Sequence, residues 1–94
     1  MYLSYNQIKE MTPNIIQGKI VSQQTNEPVE NVHVNILYDD GSAVSNDNGN
    51  FTLRLWNSFP ITLVIEHKQF HSKLIKIQSP QKDCIISLQP NAEV

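Results

Sequence analysis

From Asn14 onward the chain alternates apolar and polar positions with a period of two. Ile16, Gly18 and Ile20 fall on one face and Gln17 and Lys19 on the other, the pattern of a half-buried strand. Val32, Val34 and Ile36 alternate with His33 and Asn35, and Phe51, Leu53 and Leu55 alternate with Thr52 and Arg54. Ile61, Leu63 and Ile65 predict a strand with Val64 on its opposite face. Ile75 and Ile77 predict another, with Leu74 and Lys76 outward, and Cys84, Ile86 and Leu88 predict the last. Ala43 and Val44 make a short strand between two turns. The punctuation is polar: the 22–28 segment, Asp39-Asp40-Gly41-Ser42, Asn46-Asp47-Asn48-Gly49, Asn57-Ser58-Phe59-Pro60, Lys68-Gln69 and Ser79-Pro80-Gln81-Lys82. In the second of these Gly41 is expected to supply a positive φ while an Asp bonds nearby backbone. About seven short strands without a long helical period predict an all-β, antiparallel Greek-key β-sandwich over residues 14–90.

Residues 1–13 follow another pattern. Ser4 and Gln7 have capping-box spacing, Ile8 and Met11 follow at helical spacing, and Pro13 stops the run. A short helix or flexible lead-in is expected there, and a tail over 91–94.

Composition narrows the function classes. Ninety-four residues allow one domain. With 39% apolar and 17% charged residues, the chain is too apolar for disorder and too polar for a membrane protein. The net charge is −2 and the Lys and Arg residues are scattered, so no basic stripe is available for nucleic acid. A single cysteine, Cys84, cannot form an internal disulfide. No apolar run approaches the roughly 20 residues of a spanning helix, so no direct membrane insertion is expected. Residues 1–6 lack the basic start and apolar stretch of a secretory signal. The expectation is a cytoplasmic protein or a mature domain excised from a longer precursor.

Three patterns occur in order: Ile16-Gln17-Gly18-Lys19-Ile20 with Pro28-Val29 and Val32-His33-Val34; Ser45-Asn46-Asp47-Asn48-Gly49-Asn50-Phe51; and Leu63-Val64-Ile65 running to Phe70. Together they resemble the carboxypeptidase-regulatory-like domain family, transthyretin-like β-sandwiches, over residues 14–90. Asn31, Asn46 and Gln69 stand where the family pattern has a small residue, a threonine and a glycine. On this resemblance Gly18, Pro28, Asp47, Gly49, Phe51 and Phe70 form a structural motif. Gly18 would admit a facing aromatic, Gly49 would free the turn, Asp47 would cap it through its side chain and Phe51 would fill the core. The resemblance implies a non-catalytic module of the kind found beside metallocarboxypeptidase domains, before the plug of TonB-dependent outer-membrane receptors, or in other envelope proteins.

Candidate chemistry is sparse. His67 and His71 are four apart and His33 is distant, and on strands that spacing does not bring ligands together. Asp39, Asp40 and Asp47 with Asn46 and Asn48 suggest calcium, but the order does not match an EF-hand loop and turns explain them. Cys84 is expected inward as a small hydrophobe. A Gly-x-Ser-x-Gly elbow and a phosphate-cradling glycine loop are both missing from the sequence. Asn50-Phe51-Thr52 fits a glycosylation sequon, which the bacterial character of the family makes a chance match. No catalytic residue, metal or cofactor is expected.

The best contact candidates are Trp56, Phe59 and Arg54. Trp56 breaks the Phe51-Leu53-Leu55 alternation and so should face outward, where an aromatic anchors a partner, stacks on a sugar, or covers an edge and Arg54. Leu37, Val64 and Leu74 add outward apolar surface. The expected function is a non-catalytic accessory domain of a cell-envelope protein, such as an N-terminal extension of a TonB-dependent receptor, in the periplasm or at the outer membrane. Its partner would be a protein or a neighbouring domain. The alternatives are a carbohydrate- or peptide-binding module using the Trp56/Phe59 loop and a regulatory domain accompanying a metallocarboxypeptidase.

Overall fold

The period-two segments become strands where their apolar faces meet. In the computed structural model, which describes residues 13–91, seven strands follow in order: β1 (Asn14–Ser22), β2 (His33–Ile36), β3 (Ser42–Val44), β4 (Asn50–Leu55), β5 (Ile61–His67), β6 (Phe70–Ile77) and β7 (Gln81–Leu88). They form a three-stranded sheet ordered β4–β1–β7 and a four-stranded sheet ordered β3–β2–β5–β6. No helix occurs among the described residues. The expected helix or lead-in lies outside them except at Pro13, as does the tail beyond Asn91.

The core is the meeting of the two inner faces. Ile16 and Ile20 of β1, Phe51, Leu53 and Leu55 of β4, and Ile86 and Leu88 of β7 are buried from one side. Val34 and Ile36 of β2, Ile61, Leu63 and Ile65 of β5, and Ile77 of β6 are buried from the other. Val29 and Val32, in the connection between β1 and β2, plug one end. Each such side chain contributes about 1.5–3 kcal/mol through removal from water. Phe59, Phe70, Ile75, Ala43 and Cys84 pack on the margin.

Two glycines are demanded by close approach. Gly18 pairs opposite Phe51 on β4 and Cys84 on β7. A Cβ there would lie 2.5 Å from the Cys84 carbonyl and 2.9 Å from the Phe51 ring, so the aromatic does close over the glycine. Gly49 has φ +77°, and a Cβ there would lie 2.5 Å from the Ile20 carbonyl oxygen. Its own carbonyl accepts from the Ile20 N–H at 2.8 Å, which ties the turn before β4 to β1.

The structure corrects four expectations of the fold. First, the sandwich is not wholly antiparallel, because β1 and β7 pair in parallel. Alternation reports which face a residue takes, and that is the same for either direction of a neighbour. Second, Gly41 does not take the left-handed conformation; Tyr38 does, with φ 64°. A Cβ at Gly41 would meet only the Cδ1 end of the Ile36 side chain, at 2.6 Å, a contact that a turn of that side chain relieves. Asp39 does bond nearby backbone, its Oδ1 accepting from Gly41 N–H at 3.1 Å. Third, Asp47 does not cap the following turn. Asn46 does, its Oδ1 accepting from Asn48 N–H at 3.0 Å and Asn50 N–H at 2.9 Å. The loop expected at 79–82 is also shorter, because β7 begins at Gln81. Asn31, where the family pattern has a small residue, has φ 63°, a conformation Asn tolerates better than most side chains.

The capping correction has a direct test. Asn46→Ala removes two local hydrogen bonds, each worth about 0.5–1.5 kcal/mol, and should lower stability by about 1–3 kcal/mol. Asp47→Ala, at an exposed turn position, should stay within about 0.5 kcal/mol of the parent. Paired urea melts read both; equal losses for the two variants would return the capping role to Asp47.

Candidate functional site

The strand ends position one polar, aromatic-bearing groove. β4 buries Leu55 and then releases the chain, leaving Trp56 68% exposed. The β2–β3 hairpin tip carries Leu37, Tyr38, Asp39, Asp40 and Gly41. Between them lies a shallow groove of about 510 Å³, lined by Asp39, Asp40, Gly41, Arg54, Leu55, Trp56 and Asn57. The two loops are tied across it. Asn57 Nδ2 donates to Asp39 Oδ2 at 2.7 Å, while Asp39 Oδ1 accepts from Gly41 N–H.

These contacts set the charge of Asp39. The Asn57 amide, then the Gly41 N–H, hold its carboxyl below the ordinary value of 3.8. Because the folded-state value is depressed, the stabilisation is present above the unfolded value and is lost as pH falls through the folded one. An NMR titration should therefore place the Asp39 midpoint below 3.8, with the Asn57 side-chain amide shifting at that same pH. A midpoint at or above 3.8 would mean that the two loops are not tied in solution.

Of the contact candidates, the fold brings Trp56 and Arg54 to this groove and withdraws Phe59. The Phe59 ring is half-buried and packs on the core margin. Tyr38, which the alternation does not single out, is 98% exposed beside Asp39. The structural-motif residues lie elsewhere. Gly18, Phe51 and Gly49 are inside the first sheet and its turn, and Pro28 bridges to Val21 and abuts Gly49. Phe70 bridges to Pro90, its ring edge-on to His67 with centroids 5.3 Å apart.

The other candidates stay apart. Among the described residues no three His, Cys, Asp or Glu side chains converge to hold a metal. Cys84 is half-buried, and that burial pushes its thiol upward, away from nucleophilic chemistry. The edge of β6 is partly closed by the chain's own end. His71 N–H donates to Gln89 C=O at 2.9 Å, and Lys73 Nζ donates to Ser87 C=O at 3.0 Å. A lysine on an edge also opposes pairing with a further strand.

Comparison with known proteins places this architecture. The family model described as CarboxypepD_reg-like domain matches residues 16–93. The chain belongs to this carboxypeptidase-regulatory-like family. No curated protein matches it. Among solved structures it is similar to a chain in the crystal structure of a type II cohesin-X-dockerin complex from Acetivibrio cellulolyticus, a C-terminal interface mutant. The TM-score is 0.61 at 22% identity, over 79% of this chain and 51% of that one, a likeness of fold. The domain thus spans about half the length of that neighbour. A carboxypeptidase-regulatory-like domain is a non-catalytic β-sandwich module.

Proposed function

We propose that this carboxypeptidase-regulatory-like domain is an accessory interaction module of a larger cell-envelope protein, with the Trp56 end as its working surface. Trp56 carries the reading. A large indole 68% exposed beside a tied Asp39–Asn57 frame is a preformed contact site, since exposed aromatics on rigid supports are the usual anchors of recognition. The family supports the non-catalytic part. The similar chain from Acetivibrio cellulolyticus belongs to a multi-protein complex, a precedent for this fold within an assembly.

Within the contexts that the family resemblance implies, the reading is an N-terminal extension of a TonB-dependent receptor, at the periplasmic side of the outer membrane. The coding sequence on either side of residues 1–94 tests it. A signal peptide upstream and a receptor plug downstream are expected. A zinc-peptidase domain in the same chain would move the assignment to a peptidase companion. A start at Met1 with a stop after Val94 would overturn the accessory role.

A further inference from the structure

We propose that the groove between the β2–β3 tip and the β4–β5 loop binds a neutral glycan, with Trp56 as the stacking platform and Asp39, Asn57 and Arg54 as the hydroxyl-reading groups. The inference rests on the reading of this end as the working surface and names its ligand class. Four observations carry it together: the exposed indole, the planar polar side chains around it, the fixation of Asp39 and Asn57 by their mutual hydrogen bond, and the sign of the local charge.

A pyranose ring presents C–H groups on its faces and hydroxyls around its rim. An indole face satisfies the first, and planar groups with paired donors or acceptors satisfy the second. The groove supplies both, with Trp56 beside two carboxylates, an amide and a guanidinium. Asp39 Oδ1 and Oδ2 each already accept one hydrogen bond, from Gly41 and Asn57, and each retains a lone pair for a ligand hydroxyl. Those bonds hold the carboxylate in place before any ligand arrives, which lowers the ordering cost of a weak polar ligand. Tyr38, 98% exposed next to Asp39, offers a second ring at the same end for a neighbouring sugar unit.

The same residues argue against a protein in this groove. The buried cores of protein interfaces are depleted in Asp, whereas this groove has two. Asp39 and Asp40 against Arg54 leave one net negative charge, so a neutral glycan is favoured over a uronate or sulfated one.

The chain has one tryptophan, so its fluorescence reads Trp56 alone. The test titrates the full chain with linear oligosaccharides of β-glucan, xylan and mannan, with polygalacturonate as the anionic comparison. A saturable change with at least one neutral glycan and none with polygalacturonate is expected. By calorimetry, Trp56→Ala should weaken that binding about tenfold or more. Arg54→Gln, at an exposed position, should weaken it too while keeping the parent melting temperature; Asp39→Ala should weaken it with a small fall in melting temperature, because two local hydrogen bonds go with the carboxylate. No saturable change with any neutral glycan would overturn the proposal, as would stronger binding of polygalacturonate. So would binding that is unchanged in both polar-residue variants. None of these failures touches the gene-context test, so glycan recognition and the accessory role stand or fall separately.

Discussion

Gly49→Ala is expected to destabilise the domain by about 2–5 kcal/mol, from a left-handed backbone cost of about 1–2 kcal/mol and an overpacking cost of about 1–3 kcal/mol. The residue has φ +77°, and its absent Cβ would sit 2.5 Å from the Ile20 carbonyl oxygen and 3.0 Å from Pro28 Cβ. Relief in any direction is costly. Ile20 lies in the central strand of the three-stranded sheet and is fully buried, and its carbonyl also accepts from Val29 N–H at 3.0 Å. Pushing that oxygen away loosens the turn and the β1–β2 connection together. A domain of this size loses about 4–8 °C per kcal/mol, so thermal unfolding should fall by roughly 10 °C or more. A shift of only about 2 °C, less than one kcal/mol on that scale, would show that the turn relaxes without strain.

Ser45→Ala should cost about 2–6 kcal/mol, since each of two buried backbone groups loses its partner at about 1–3 kcal/mol. Ser45 is 3% exposed. Its Oγ accepts from Val32 N–H at 2.9 Å and donates to Val29 C=O at 2.8 Å. One hydroxyl thus satisfies two backbone groups of the connection that carries Val29 and Val32 into the core. Backbone bonds between Ser45 and Val32, and between Ser45 and Asn31, flank it at 3.0 Å each. With no hydroxyl, the connection must admit water or leave an N–H and a C=O unpaired. Urea denaturation reads the loss. Ser42→Ala, on the exposed side of β3, is the comparison and should stay within about 0.5 kcal/mol. Equal effects for the two serines would remove the special role of Ser45.

These two positions differ in how visible they are in the chain. Gly49 stands in an Asn-Asp-Asn-Gly turn before a strand, a setting that calls for glycine by local chemistry alone. Ser45 reads as an ordinary polar residue at a strand end, because its partners lie 13 and 16 residues away. Asn46 and Asp47 show a finer limit. Both residue types cap turns, and only backbone geometry selects which side chain reaches Asn48 and Asn50.

The candidate site divides in the same way. Trp56 was legible because it broke a period of two just after Leu55, and the exposed indole is where that break puts it. Arg54 was legible as the outward neighbour in the same strand. The place of Phe59 is not legible, because a loop position carries no period; the loop folds its half-buried ring onto the core margin. The Asp39–Asn57 bond joins residues 18 apart on different hairpins, and no local pattern announces it.

The sequence by itself determined the faces: which residues point inward in each strand, where the turns fall, which glycines sit at demanding positions, and the family those features resemble. It did so because alternation and turn chemistry are local, acting between residues one to four positions apart. The tertiary structure alone decided the neighbours. It made β1 and β7 parallel, placed the left-handed residue at Tyr38 rather than Gly41, gave the cap to Asn46, turned Ser45 into a buried bridge and joined Asp39 to Asn57 beside Trp56. Those outcomes depend on how two sheets pack so that their apolar faces close and every buried polar group finds a partner, a condition set by the whole chain at once.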